Sequence, residues 1–358
     1  MINKTYIIAE AGVNHNGSIE LAKQLIDIAK DSGADAIKFQ TFKAENLVSK
    51  NTPKADYQKR QTGEAESQYE MLKKLELGID EHKVLTNYCR EKSIEFLSTP
   101  FDYESLDLLV NDFHISKLKV PSGEITNAPL LLKMARTDKP IILSTGMSTL
   151  GDIENALSII SFGYLNKNGT PTFETLRQAF YSEEGQMVIK EKVILLHCTT
   201  EYPTPFEDVN LLALTTLKTS FGLQVGLSDH TMGISVPIAA VAIGAVVVEK
   251  HVTVDRTLPG PDHKASLEPN ELKEMVKSIR EVEQAIGSPI KKPAPSELKN
   301  MNVARKSIVA NCNISGGEAF NEKNITVKRP GNGISPIYYW EMLGKKATRN
   351  FKKDEEIN

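Results

Sequence analysis

The chain has 358 residues, enough for one large domain with a small one or for two of medium size. Its apolar fraction is 40%, with 22 glycines besides, which is ordinary for a globular protein. The formal net charge of -3 and the lack of any run of about 18 apolar residues point to neither a nucleic-acid nor a membrane partner.

Three cysteines, Cys89, Cys198 and Cys312, are odd in number, far apart and free of any CxxC spacing. That pattern argues against a disulfide framework and for a reducing compartment. The N-terminus runs directly into a strand-like segment without a long apolar region or cleavage pattern. The expected location is therefore the cytoplasm.

Taken in chain order, eight strand-like runs recur with helical segments between them. The runs are Tyr6–Ala9, Ala36–Gln40, Glu95–Ser98, Lys117–Val120, Pro140–Leu143, Val193–His197, Gln224–Leu227 and Val246–Glu249. The helical segments are Ile19–Lys30, Gln68–Arg90, Glu104–Val110, Pro129–Ala135, Gly151–Ser161, Leu211–Ser220, Ser235–Ile243 and Glu271–Ile286. Eight such βα units predict an α/β fold, a (β/α)8 TIM barrel, over residues 1–286. A doubly wound open sheet is the other α/β option, but no GxGxxG or Walker-type loop accompanies it. Two connections exceed what a barrel needs. The polar stretch Thr41–Ser67, which contains Tyr57, follows the second strand and is a candidate lid. The stretch Phe162–Lys192 precedes the sixth strand, on the face away from strand C-termini, and receives no catalytic role.

Residues 287–302, Pro- and Lys-rich, read as a linker. Residues 303–358 then carry short strand-like pieces between turn signals, a small mostly-β module that needs another surface to lean on. From Lys291 onward there are 13 Lys and Arg against 7 Asp and Glu, a local excess of positive charge suited to an acidic body or an anionic ligand.

In a (β/α)8 barrel, chemistry sits at the C-terminal ends of the strands. Those positions here include Glu10, Lys38, Ser98, Thr99, Lys119, Ser122, Glu124, Ser144, His197, Thr200, Tyr202, Ser228, Asp229, His230, Glu249 and His251. Lys38 and Lys119 offer fixed positive charge, and the hydroxyls of Thr99, Ser122, Ser144 and Ser228 offer donors for a small phosphorylated anion. His230 and His251 end adjacent strands and can converge on a metal that polarises a carbonyl. Glu10 and Glu124 suit acid–base work or sugar hydroxyls, although an ion pair with a barrel lysine is the simpler use of either. Together these groups point to carbon–carbon bond formation between a phosphorylated enol and a carbonyl compound.

At these same residues the chain resembles the bacterial N-acetylneuraminate (sialic acid) synthase family, which includes the legionaminate and pseudaminate synthases. The resemblance rests on AEAGVNHNG (9–17), IKFQTF (37–42), FLSTPFD (96–102), KVPSGEITN (119–127), ILSTGM (142–147), GLSDHT (226–231), EKHVTVD (249–255) and PGPDHKASLEP (259–269). The pieces ARKSIVA and VKRPGNGISP resemble that family's antifreeze-like, or SAF, domain. The resemblance implies condensation of phosphoenolpyruvate with an open-chain N-acylated mannosamine-type sugar, giving a nine-carbon keto acid and phosphate. It implies a divalent metal on His230 and His251, manganese first, with magnesium or cobalt as substitutes. It assigns Lys38, Thr99, Lys119, Ser122, Ser144 and Ser228 to phosphoenolpyruvate, and Glu10, Glu124, Tyr202 and Asp262 to the sugar side. It further implies a domain-swapped homodimer in which Arg329 of the SAF domain meets the sugar's N-acyl group. Some members read HCTN where this chain reads HCTT, so Thr200 stands at an asparagine position.

The resemblance puts N-acetylneuraminate first as the product, with N,N'-diacetyllegionaminate from 2,4-diacetamido-2,4,6-trideoxymannose as the alternative. A synthase of 3-deoxy sugar acids from sugar phosphates would need a second phosphate pocket, for which no second basic cluster is visible in the barrel segments. A carbohydrate- or ice-binding role would leave the strand-end lysines, histidines and glutamates idle.

Overall fold

All eight expected strands form in the computed structural model, which describes residues 4–358 apart from Glu64. They are β1 (Tyr6–Gly12), β2 (Ala36–Thr41), β3 (Glu95–Pro100), β4 (Leu118–Val120), β5 (Ile141–Ser144), β6 (Val193–Cys198), β7 (Gln224–Asp229) and β8 (Val247–His251). Each recorded pairing is parallel, in the order β3-β2-β1-β8-β7-β6-β5-β4. β3 and β4 lie side by side at the seam, so the sheet curves into a (β/α)8 barrel.

Side chains alternate across a strand, and that period of two sorts each strand into two chemistries. Outward residues such as Ile7, Ala9, Ile37, Phe39, Leu118, Leu143, Leu195 and Val225 join one large core with the surrounding helices. Inward residues divide by height. Ile8, Ala36, Leu97, Ile142, Leu196 and Val247 fill the barrel's lower interior with a separate apolar plug. Above it, the next inward position is polar on strand after strand. The register sets Glu10 beside Lys38 on β2 and beside His251 on β8, and sets Ser228 beside Glu249.

Two of the expected helices form differently. The segment Gln68–Arg90 is two helices, Gln68–Lys73 and Ile79–Lys92, because Gly78 is the N-cap of the second. Glu104–Val110 starts as a helical turn at Tyr103–Asp107 and loosens into a π turn at Leu108–Asp112. The long connection before β6 becomes helices Phe173–Tyr181 and Glu183–Lys192, which pack on the helix Leu150–Leu165.

The chain divides after Gly287 into two compact units. Within the second, the stretch read as a linker is not extended throughout. A helix spans Pro295–Ala304, with Pro at its first position and the Glu297 carboxylate accepting from the Ala294 N–H at 2.7 Å. Of the prolines that suggested a linker, Pro295 marks a helix start, while Pro289 and Pro293 lie in the irregular stretch before it. Beyond it, β9 (Ser307–Ala310) and β10 (Ile325–Lys328) pair antiparallel over a core of its own that includes Ile308, Phe320, Ile325, Met342 and Phe351.

One buried ion pair staples β7 to β8 on their outward faces. Lys250 Nζ lies 2.5 Å from Asp229 Oδ2, with both side chains almost wholly buried, and Asp229 also accepts from the Thr231 N–H at 3.1 Å and hydroxyl at 3.0 Å. Breaking such a pair strands a buried charge at a cost of about 3–5 kcal/mol. Lys250→Met is expected to lower stability by about that amount in a urea melt, and Lys250→Met with Asp229→Leu to recover much of it.

Candidate active site

A cavity of about 370 Å³ opens at the C-terminal ends of the barrel strands. Its floor is a cluster of four buried charged side chains. Lys38 Nζ lies 2.8 Å from Glu10 Oε2 and 3.6 Å from Glu249 Oε2, and donates to Thr99 Oγ1 at 2.9 Å. Lys119 Nζ lies 3.6 Å from Glu249 Oε1 and donates to Ser144 Oγ at 2.7 Å and to the Val120 carbonyl at 3.3 Å. Ser228 Oγ donates to Glu249 Oε1 at 2.8 Å.

The two carboxylates differ because their surroundings differ. Burial pushes Glu10 up to about 7, against the pull of Lys38 and with a further push from Glu249. Glu249, equally buried, sits between both ammoniums and accepts from Ser228, which hold it down at about 2. Burial lowers Lys119. Lys38 suffers the same burial, but Glu10 and Glu249 more than offset it and raise it. A small dianion entering this floor meets two ammoniums and a ring of hydroxyls.

On one wall the two histidines face each other, ring centres 5.5 Å apart. His230 Nδ1 donates to the Thr199 carbonyl at 2.7 Å, which fixes the tautomer and leaves Nε2 as the lone-pair nitrogen. His251 Nδ1 is buried with no hydrogen-bond partner among the described residues and lies 3.9 Å from Asp262 Oδ2. Burial lowers both imidazoles and keeps them neutral. Two neutral imidazoles, one with an orphaned nitrogen and a carboxylate near it, fit a divalent cation whose remaining positions go to substrate or water. Among the described residues no three His, Cys, Asp or Glu side chains are already gathered at ligating distance.

Close backbone approach makes room for this wall. Gly12 has φ +51° and ends β1 at a register shift, and a Cβ there would sit 3.3 Å from His251 Cε1 and 3.4 Å from Glu10 Oε1. At Gly146 a Cβ would stand 2.6 Å from Thr200 Oγ1 and 2.7 Å from Ser122 Oγ, so only glycine lets those hydroxyls converge. Ser122 Oγ accepts from the Gly146 N–H at 3.0 Å and contacts Cys198 Sγ at 2.9 Å. Thr200 Oγ1 is buried without a partner among the described residues.

The candidate lid, continued past Ser67 by the helix Gln68–Lys73, covers the mouth. Three short helices, Ala44–Leu47, Asp56–Thr62 and Gln68–Lys73, bring Tyr57 and several apolar side chains to the cavity. The Tyr57 ring packs 4.9 Å from Tyr202, and Tyr202 packs 4.1 Å from His230. Gln61 Nε2 donates to the Tyr202 carbonyl at 3.2 Å, and Arg60 pairs with Glu201. Inside the lid the buried Lys54 ammonium holds Thr62 Oγ1 at 2.8 Å, the Gly63 carbonyl at 3.1 Å and Glu66 at 3.1 Å.

Of the candidate residues, Glu10, Lys38, Thr99, Lys119, Ser122, Glu124, Ser144, Thr200, Tyr202, Ser228, His230, His251 and Asp262 all line this one cavity. Arg329 belongs to the second unit, exposed, where its Nε donates to the Ala304 carbonyl at 2.9 Å. Ser98, His197 and Asp229, also strand-end positions, lie on the outward faces: Ser98 bonds Thr41 at 2.6 Å and His197 the Val209 carbonyl at 2.6 Å. Glu249, a strand-end residue to which the sequence assigns no role, is the carboxylate between both lysines. Its inward register, two residues before His251, was the available signal. The lid's apolar wall went unrecognised, since leucine and methionine at helical spacing resemble core.

A barrel with paired ammoniums, a hydroxyl ring and two neutral imidazoles at the strand ends defines an enzyme for a small anionic substrate. Residues 25–291 match the NeuB family and residues 305–357 the SAF domain. The chain is 52% identical to an N,N'-diacetyllegionaminic acid synthase of Campylobacter jejuni, over 99% of both chains. It is 44% identical to another from Legionella pneumophila, over 96% of this chain and 91% of that one. A solved N-acetylneuraminic acid synthetase from Leptospira borgpetersenii is similar at TM-score 0.67 and 34% identity, over 83% of this chain and 90% of that one. The chain belongs to the NeuB family of nonulosonic acid synthases, enzymes that condense phosphoenolpyruvate with a sugar, and it carries a SAF domain.

The buried Asp262 carboxyl yields a pH test. Burial lifts it from 3.8 to about 7, so the folded chain binds its proton more tightly than the unfolded chain does. Its contribution to stability is then largest below the unfolded value and is lost as pH rises through about 7. In chelator-treated protein, Asp262→Asn is expected to lose less melting temperature than wild type between pH 5 and pH 8, about the window of that titration. Equal losses in both proteins would show that Asp262 titrates as an exposed carboxyl does.

Proposed function

We propose that this enzyme condenses phosphoenolpyruvate with open-chain 2,4-diacetamido-2,4,6-trideoxymannose to give N,N'-diacetyllegionaminate and phosphate. The observation that carries the sugar is the full-length 52% identity to a synthase of that product, supported by the 44% relative. The N-acetylneuraminate product, which the motifs alone put first, becomes the second reading.

In this reading Lys38 and Lys119 hold the carboxylate and phosphate of phosphoenolpyruvate, with Thr99, Ser122, Ser144 and Ser228 as hydroxyl donors. The enol carbon C3 bonds to the sugar aldehyde carbon, and water adds at the electron-poor C2. The C2–O bond to phosphate then breaks, leaving the keto acid and inorganic phosphate. Glu10, held near neutrality, is suited to take the proton that the adding water releases. Glu124 and Asp262 align the sugar, Tyr202 borders it, and Thr200 stands near phosphoenolpyruvate on the side of Ser122. A divalent metal, manganese first with magnesium or cobalt as substitutes, would be held by His230 and His251 and would supply Lewis-acid polarisation of the aldehyde oxygen.

The assembly we place with it is a domain-swapped homodimer, in which Arg329 serves the partner's sugar site. Support comes from the exposed apolar side chains Ile337, Tyr338 and Trp340 on the second unit, which a partner surface would cover. Sedimentation should give twice the chain mass, and a monomer at micromolar concentration would refute it. The unpaired cysteines suit the cytoplasm, where phosphoenolpyruvate is available.

Phosphate release with each sugar, with manganese or with chelator, tests the reaction itself. The diacetamido trideoxy sugar should support faster release than N-acetylmannosamine, and chelator should abolish it. His251→Ala should lose at least about 10²-fold in metal-dependent turnover with an unchanged circular dichroism spectrum. Manganese-stimulated turnover surviving in that variant would remove the metal from this pair.

A further inference from the structure

The geometry points to the lid as the part that reads which sugar is bound, through an apolar wall opposite the charged floor. The inference rests on the diacetamido reading above and deepens it. The cavity has two unlike sides. The floor and histidine wall are charged or polar, and they account for phosphoenolpyruvate and the aldehyde end of the sugar. The side supplied by the lid carries Leu47, Val48, Met71 and Leu72, with Tyr57 at its edge. Met71 is backed by Val13, Phe42 and Leu75 in a small core of its own, against which Leu47 and Leu72 pack. Polar groups on this side are few, and two of them bond each other. Gln68 Nε2 donates to Gln58 Oε1 at 3.1 Å, and Gln58 Oε1 also accepts from the Ala55 N–H at 2.9 Å.

In this reading the aldehyde lies between the floor and the histidines, and the C4 to C6 end extends toward the lid's wall. The two candidate sugars differ at that end alone. N-acetylmannosamine presents hydroxyls at C4 and C6, which would lose water against leucine and methionine without gaining a partner. The diacetamido trideoxy sugar presents a C6 methyl and the methyl of its second acetamido group, both of which gain from burial there, while that group's N–H and C=O need polar partners such as the Gln58 and Gln68 amides. An apolar pocket separates a methyl-bearing substrate from its hydroxyl-bearing counterpart by up to about 10²-fold in kcat/KM. Leu47, Val48 and Leu72 are only half-buried, so they can be changed without opening the core.

The test measures kcat/KM for both sugars with wild type, Leu72→Asn and Val48→Thr, at saturating phosphoenolpyruvate and manganese. Wild type should prefer the diacetamido sugar. Leu72→Asn should reduce that preference by about 10-fold or more, mainly through the KM of the diacetamido sugar, with the KM for phosphoenolpyruvate unchanged. Val48→Thr keeps the side-chain volume and should shift the preference in the same direction by a smaller factor, so a folding defect in the asparagine variant does not decide the matter. A wild-type preference that both variants retain overturns the wall while leaving the substrate reading intact. Wild type that turns over only N-acetylmannosamine overturns the substrate reading, and the wall's assignment to a methyl end falls with it.

Discussion

The structure depends on a buried cluster in which two carboxylates and two ammoniums hold one another in the barrel's mouth. None of the four could be buried alone at tolerable cost. Together they offset one another's charge while Thr99, Ser144 and Ser228 bond Lys38, Lys119 and Glu249, and one oxygen each of Glu10 and Glu249 stays without a hydrogen-bond partner among the described residues. Because the cluster is balanced, an incoming dianion competes with Glu10 and Glu249 for the same ammoniums. The unequal carboxylates make that exchange uneven: Glu249 stays charged between its lysines, whereas Glu10 sits where a proton is easily gained or given.

Everything around the cluster keeps it in register. The apolar plug below closes the barrel's lower interior to water, which strengthens each charge–charge term above it. On the outside, the Asp229–Lys250 pair ties together the strand ends that carry His230 and His251. The same two strands thus carry a structural ion pair on one face and the candidate metal ligands on the other, one residue apart.

That alternation explains how much the sequence disclosed. Eight apolar runs with helical segments between them made the barrel legible, and a polar residue after each run made the floor legible. Which strand-end residues look inward depends on register, and this separated Lys38 and Ser228 from Ser98 and Asp229 only once the sheet was in view. Glu249 was visible, yet nothing in one sequence said that it lay between two lysines from distant strands. The break at Gly78 and the helix at Pro295 were missed because glycine and proline carry opposite meanings at a helix start and in a loop.

The floor stands on strands, and the wall opposite it stands on a connection. Moving a strand by one residue would turn every reactive group into the helix layer, so the chemistry admits almost no change of length. The lid is under no such rule. It can lengthen, shorten or exchange its side chains while the charged floor stays where the barrel puts it. A family built this way can acquire a new sugar by rewriting some thirty residues of one loop and inherit its reaction unaltered.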